Sequence, residues 1–215
     1  MVAVGRHADV SALAHSHTRV IDAGGATVIP GFVEGHMHLF SGATEMDHLQ
    51  LSGVQGFEAL RARALAYIAQ MPGDDLIVGE QADYLILGSG GPVTRHHLDR
   101  IIGNRPFMMY AADHHTAWAN TRGLEMAGFL RGARLGAGNE IVMDADGLAS
   151  GELRENEAIS PVRKLSKAGV RDRLGLTTGG EPDPQPTAAE RDHDLEILRR
   201  GLVPCASHGI TSIHN

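Results

Sequence analysis

The sequence predicts an α/β fold, on two observations. A short apolar strand near the N-terminal end and another at the far end each adjoin a helix, and a long α+β excursion lies between them. That order fits a parallel β/α architecture in which two barrel strands are separated by an insertion. A complete (β/α)8 barrel needs eight such units and about 250 residues. This chain of 215 residues has material for two.

Residues 1–30 hold short β-like pieces, Val2–Val4, Thr18–Ile21 and Thr27–Ile29, around an Ala-rich stretch at 8–14 that reads as one short helix. Val28–Leu39 is then entered through Pro30-Gly31 and left at Ser41-Gly42, and its β-branched apolar start predicts a buried strand. Alternation along a strand puts Phe32, Glu34, His36 and His38 on one side. Both imidazoles therefore point the same way, as half of a divalent-metal site would require. Alone, a His-x-His pair is a weak signal.

Gly42–Gly53 reads as a loop and Phe57–Gln70 as a helix stopped by Pro72-Gly73, the first crossover of a β/α unit. Asp75–Gly79 predicts a strand, 88–92 a turn, and Thr94 an N-cap for a helix running to Ile102. Phe107–Ala111 predicts a further strand that delivers Asp113-His114-His115-Thr116, followed by a helix from Trp118 to Ala127 closed by Gly128. Asp144-Ala145-Asp146-Gly147 between two β-like runs is a hairpin signal. Residues 152–166 can be helical, with Pro161 as a kink. Residues 169–186 read as a linker, and Thr187 with Glu190 forms a capping box for a helix to about Ala206. Gly209 closes it, and Ile210–His214 starts a new strand.

Composition is that of an ordinary globular chain, 42% hydrophobic and 21% charged. A net charge of −7 leaves no basic surplus for nucleic acid or an anionic membrane. Cys205 stands alone, so no intramolecular disulfide forms, and its expected role is a small buried hydrophobe in a helix. Neither a signal-peptide pattern nor a membrane-length apolar run is present, and the expected location is cytoplasmic. Among 13 histidines, four pairs stand out: His15 and His17, His36 and His38, His96 and His97, His114 and His115. The first and third pairs, in a polar loop and a charged helix, are expected to be solvated. Trp118 is expected to be a packing anchor.

The string from Arg19-Val20-Ile21-Asp22-Ala23-Gly24-Gly25 through Pro30-Gly31-Phe32 to His36-Met37-His38-Leu39 resembles the opening of the amidohydrolase superfamily. Where that family usually has Asp two residues before the first histidine, this chain has Glu34. Three further stretches strengthen the resemblance, the first two being similar to the insertion of the third amidohydrolase subgroup, which includes N-substituted formamide deformylases, and the last to the family's second barrel strand. They are Asp113-His114-His115-Thr116-Ala117-Trp118-Ala119-Asn120-Thr121, Asp146-Gly147-Leu148-Ala149-Ser150-Gly151-Glu152-Leu153 and Gly209–Asn215.

The resemblance implies a partial (β/α)8 metal-dependent hydrolase barrel (31–215) with an α+β insertion at about 74–165 and a remnant of a small β-sandwich domain (1–30). It makes His36 and His38 metal ligands, zinc being the expected ion, and makes His115 and Asp113 candidates for lining the substrate cleft. Asp113 or Thr116 could equally cap a helix starting at Trp118. Glu155 is a weaker candidate, and His214 and Asn215 at a strand end stay outside the metal set. The implied activity is hydrolysis of non-peptide C–N bonds in small amides by a metal-activated water. The alternative is a truncated, catalytically incompetent fragment that binds metal weakly, because two histidines fall short of a catalytic site's three protein ligands and the remaining ligands and catalytic carboxylate are expected in later strands. An unfinished barrel would expose strand edges and favour self-association, so a homo-oligomer or a missing C-terminal region is expected. A third possibility, a histidine-rich metal-binding module, predicts several metals per chain and leaves the order of elements unexplained.

Overall fold

A computed structural model describes residues 3–166 and 185–214. The linker expected at 169–186 falls largely outside these residues, as does Asn215. The body of the chain is a six-stranded sheet of order β2-β3-β4-β5-β7-β6. Its strands are β2 (Leu49–Gln50), β3 (Ile77–Ala82), β4 (Phe107–Ala111), β5 (Thr116–Ala119), β6 (Glu140–Met143) and β7 (Ala149–Arg154). The first three run parallel and the rest are antiparallel. A separate parallel pair joins β1 (Phe32–Glu34) to β8 (Ile210–Ile213), the two strands at opposite ends of the described chain.

Strand β4 is buried along its whole length, and its side chains alternate between two cores. Phe107, Met109 and Ala111 pack with Leu60 and Ala64 of α3 (Phe57–Ile68) and Leu98 of α4 (Arg95–Asp99). Met108 and Tyr110 pack on the other face with Leu124 of α5 (Thr121–Met126) and with Ala158, Ile159 and Val162 of α6 (Glu155–Arg163). Helix α3 thus covers the six-stranded sheet and is the crossover of a β/α unit as expected, joining the adjacent parallel strands β2 and β3 and not starting from β1. Trp118 is 2% exposed in the first core, the packing anchor expected of it.

Several expectations are corrected. Residues 3–33 are exposed throughout and carry one short helix, α1 (His7–Ser11), but no strand before Phe32, since no described layer covers their apolar side chains. The strand expected over Val28–Leu39 is only Phe32–Glu34, and it is not buried: Phe32 is 56% and Val33 74% exposed, with β8 the sole strand beside it among the described residues. Gly42–Gly53 is no loop. Leu39–Glu45 forms α2, whose Phe40 and Ala43 pack on Ile197 of α7 (Ala188–Ser207), and a Cβ on Gly201 of α7 would come within 2.6 Å of the Ala43 Cβ. That close approach is what orders α2.

Thr116–Ala119 is a strand, so no helix starts at Trp118, and neither Asp113 nor Thr116 caps one. The cap of α5 is Asn120, whose side chain accepts from Gly123 N–H at 2.8 Å. Residues 152–154 end β7 instead of opening α6. The local signals for α7, its Thr187–Glu190 box and the β6–β7 hairpin hold as expected. Cys205 is buried in α7 with its Sγ 3.9 Å from Met37 Sδ. No helix among the described residues is long and apolar enough to cross a membrane.

His97 is half-buried instead of fully solvated, because it closes the N-terminal box of α4. Thr94 N–H donates to its Nδ1 at 3.1 Å, and the Thr94 hydroxyl lies 2.9 Å from the same nitrogen. Burial, then the charges of Arg100 and His96, hold its pKa below the ordinary 6.5. With the folded value depressed, the folded state binds fewer protons, so this contribution is complete above pH 6.5 and is lost as pH falls through the folded pKa. Thermal melts at pH 7.5 and 5.5 are expected to show a smaller acid loss for His97→Asn than for the native chain; an equal loss in both would refute the assignment.

Candidate functional site

The backbone carrying the two histidines is held beside the end of β8. His214 N–H donates to Glu34 O at 2.9 Å, and Met37 N–H donates to His214 O at 3.0 Å. The Glu34 carboxylate accepts from His36 N–H at 3.2 Å, so the glutamate at this position fastens the turn after β1. His36 and His38 lie just past the strand, exposed, with ring centroids 5.0 Å apart at 78°. Imidazole nitrogens are suitable donors for a divalent cation, and this pair would make two of the three protein ligands a catalytic zinc uses. His38 also precedes α2 as its N-cap residue.

A cleft of about 680 Å³ opens between α2, the end of β4 and the start of α6. His38, Glu45, Asp113, His114, His115 and Glu155 line it. Candidates from two widely separated stretches, His38 on one hand and Asp113 with His115 on the other, therefore line one cavity; His36 does not line it. Glu155, which sequence alone would leave solvated on a polar helix face, holds its carboxylate 3.0 Å from His115 Nδ1, and its N–H donates to His115 O at 2.9 Å. With Nδ1–H donating to the carboxylate, His115 Nε2 is left to face a ligand. Asp113 accepts from His115 N–H at 3.1 Å and from the Tyr84 hydroxyl at 3.1 and 3.2 Å, which fastens the β4–β5 turn.

Two residues lining this cavity, His114 and Glu155, have φ of 61° and 63°, and Gln81, next to Glu80 in β3, has φ of 62°, a left-handed conformation that is unfavourable for side chains with a Cβ. Each such residue costs about 1–3 kcal/mol, and such residues concentrate at functional sites. Beneath them sits Glu80, completely buried at the irregular end of β3. His48 Nδ1 lies 2.8 Å from its Oε1. Glu45 is held above the ordinary carboxylate range chiefly by burial and then by the charge of Glu80, with His114, Arg163 and His48 pulling the other way. Glu45, His48 and Glu80 carry no motif. The one sequence signal was a charge inside the apolar run from Ile77 to Ala82, where the strand was expected to stop at Gly79.

The amidohydrolase family model matches residues 19–215. The chain belongs to the amidohydrolase family. Among amidohydrolases it is 28% identical over 179 residues to the amidohydrolase YtcJ of Bacillus subtilis (strain 168), an alignment covering 77% of this chain and 34% of that one. It is 27% identical over 157 residues to the N-substituted formamide deformylase of Arthrobacter pascens, covering 72% of this chain and 29% of the relative. The chain thus spans about a third of these curated relatives. In fold it is similar to an uncharacterised metal-dependent hydrolase from Pyrococcus horikoshii OT3, with a TM-score of 0.50 at 20% identity over 86% of this chain and 30% of that one.

Proposed function

We propose that this chain forms the first two barrel strands and one wall of the substrate cleft of a metal-dependent hydrolase that cleaves C–N bonds of small amides. The observation that carries the reading is that His38, next to its partner imidazole His36, lines the same cleft as the His115–Glu155 pair. Strands β1 and β8 fit the role of adjacent barrel strands because they are parallel and joined only through a long excursion. A resemblance to formamide deformylases favours N-substituted formamides as the first substrates to try.

His36 and His38 would hold the cation, with zinc matching their nitrogen donors. When bound, the metal polarises the amide carbonyl and lowers the pKa of a water. In the same cleft, Glu155 keeps His115 in one tautomer so that Nε2 can bond the amide, and Asp113 holds the turn that carries it. A second reading, a chain that binds zinc weakly and turns nothing over until further donors join it, is favoured by the exposure of the apolar Phe32 and Val33 beside the two imidazoles.

Zinc content after dialysis and formate release from N-substituted formamides test both. The protein is expected to retain one more zinc than its His36→Ala/His38→Ala variant, and the variant is expected to lose amide hydrolysis. Equal zinc in both proteins would remove the two histidines from the metal site. A zinc-loaded protein that hydrolyses no amide would overturn the C–N bond assignment and leave the second reading.

A further inference from the structure

We infer that Glu45, Glu80 and His114 form a second divalent-cation site, separate from the His36–His38 pair, that fastens α2 to the six-stranded sheet. Each residue comes from a different element: Glu45 ends α2, Glu80 lies in β3, and His114 sits in the turn between β4 and β5. One donor atom from each lies within 4.8 Å of the other two. Donors bound to one zinc at about 2.1 Å stand no more than about 4.2 Å apart, so a small inward rotation of the exposed His114 ring closes the set. His114 Nε2 is already 3.9 Å from Glu45 Oε1.

The observation that points to a ligand is the second oxygen of Glu80. Its side chain has no exposure, and Oε2 has no hydrogen-bond partner among the described residues, while Oε1 is engaged by His48. A buried carboxylate oxygen is normally satisfied, and an unsatisfied one calls for an ion, a proton or a water. Glu45, itself a carboxylate, has an oxygen within 4.8 Å of one on Glu80, so the pair concentrates negative charge that a cation would neutralise. The arrangement also supplies an outer contact of the kind that orients metal-binding carboxylates, His48 against Glu80 Oε1 at 2.8 Å. Two carboxylates and one imidazole suit a divalent first-row ion, with zinc and manganese the cations of choice.

The consequence for the cleft is positional. Helix α2 begins immediately after His38, so an ion at its far end would set the distance between His38 and the wall carrying His115.

The test uses the His36→Ala/His38→Ala chain, so that failure of the amide-hydrolase reading does not touch it. After chelator treatment and dialysis against zinc or manganese, this variant is expected to retain one ion per chain and to melt at a higher temperature as the ion concentration rises. Adding Glu80→Gln, close in shape to the native residue, or His114→Ala, at an exposed position, is expected to weaken binding at least tenfold with unchanged far-UV circular dichroism. His48→Ala is expected to cost about 10–100-fold through the lost outer contact. No ion retained by the double variant would overturn the inference. So would an ion whose affinity is untouched by both Glu80→Gln and His114→Ala, since it would then sit elsewhere on this histidine-rich chain.

Discussion

Gly151→Ala is expected to destabilise the chain by about 3 kcal/mol or more, the sum of backbone strain and overpacking. Gly151 has a φ of 116°, a region that L side chains rarely adopt. A Cβ there would run into the backbone nitrogen of Arg95 and would stand 3.0 Å from Ala119 O. Neither neighbour is a flexible side-chain end that could swing away. The same spot is fastened by the Arg95 side chain, 4% exposed, which donates to Ala149 O at 2.6 Å, Asp144 at 2.8 Å and Asp146 at 2.9 Å. Helix α4 is thereby pressed onto β7, and β7 runs directly into Glu155. In a chain of this size the melting temperature should fall on the order of 10 °C. A melt unchanged within a degree or two would show that β7 and α4 can separate freely, and that Glu155 is not positioned in this way.

Glu155→Gln is expected to lower kcat/KM for an amide substrate on the order of 100-fold while leaving the melting temperature nearly unchanged. The two effects separate because the contact is exposed: the His115 and Glu155 side chains retain 69% and 47% of their accessible surface, and an exposed pair adds little stability. Its value is orientation. A carboxylate opposite Nδ1 favours the tautomer with that nitrogen protonated and directs Nε2 at the ligand, whereas a glutamine can accept or donate and selects neither. Unchanged kcat/KM in the variant would reduce the His115–Glu155 contact to a surface pairing.

Much of the local structure was legible in the sequence because its causes are local. The Thr187–Glu190 box, the helical spacing of Phe57–Ile68 and the Asp144–Gly147 turn each act over a few residues, and each forms where it is expected. The amidohydrolase family was legible for the same reason, in motifs read off consecutive residues around His36 and His38 and around His115.

What only the tertiary structure decided depends on neighbours distant in the chain. Thr116–Ala119 is a strand because β4 and β7 flank it, and α2 is a helix because Gly201 lets α7 approach. Glu155 becomes a partner of His115 because β7 sets down its end beside the β4–β5 turn. The gathering of Glu45, Glu80 and His114 has no trace in the order of residues. The sequence by itself determined the family, helices α3 and α7, and the Thr187–Glu190 box that caps α7. The cleft and its second group of donors arise from long-range packing, since a side chain's partner across a sheet is set by register and burial and not by its neighbours in the chain.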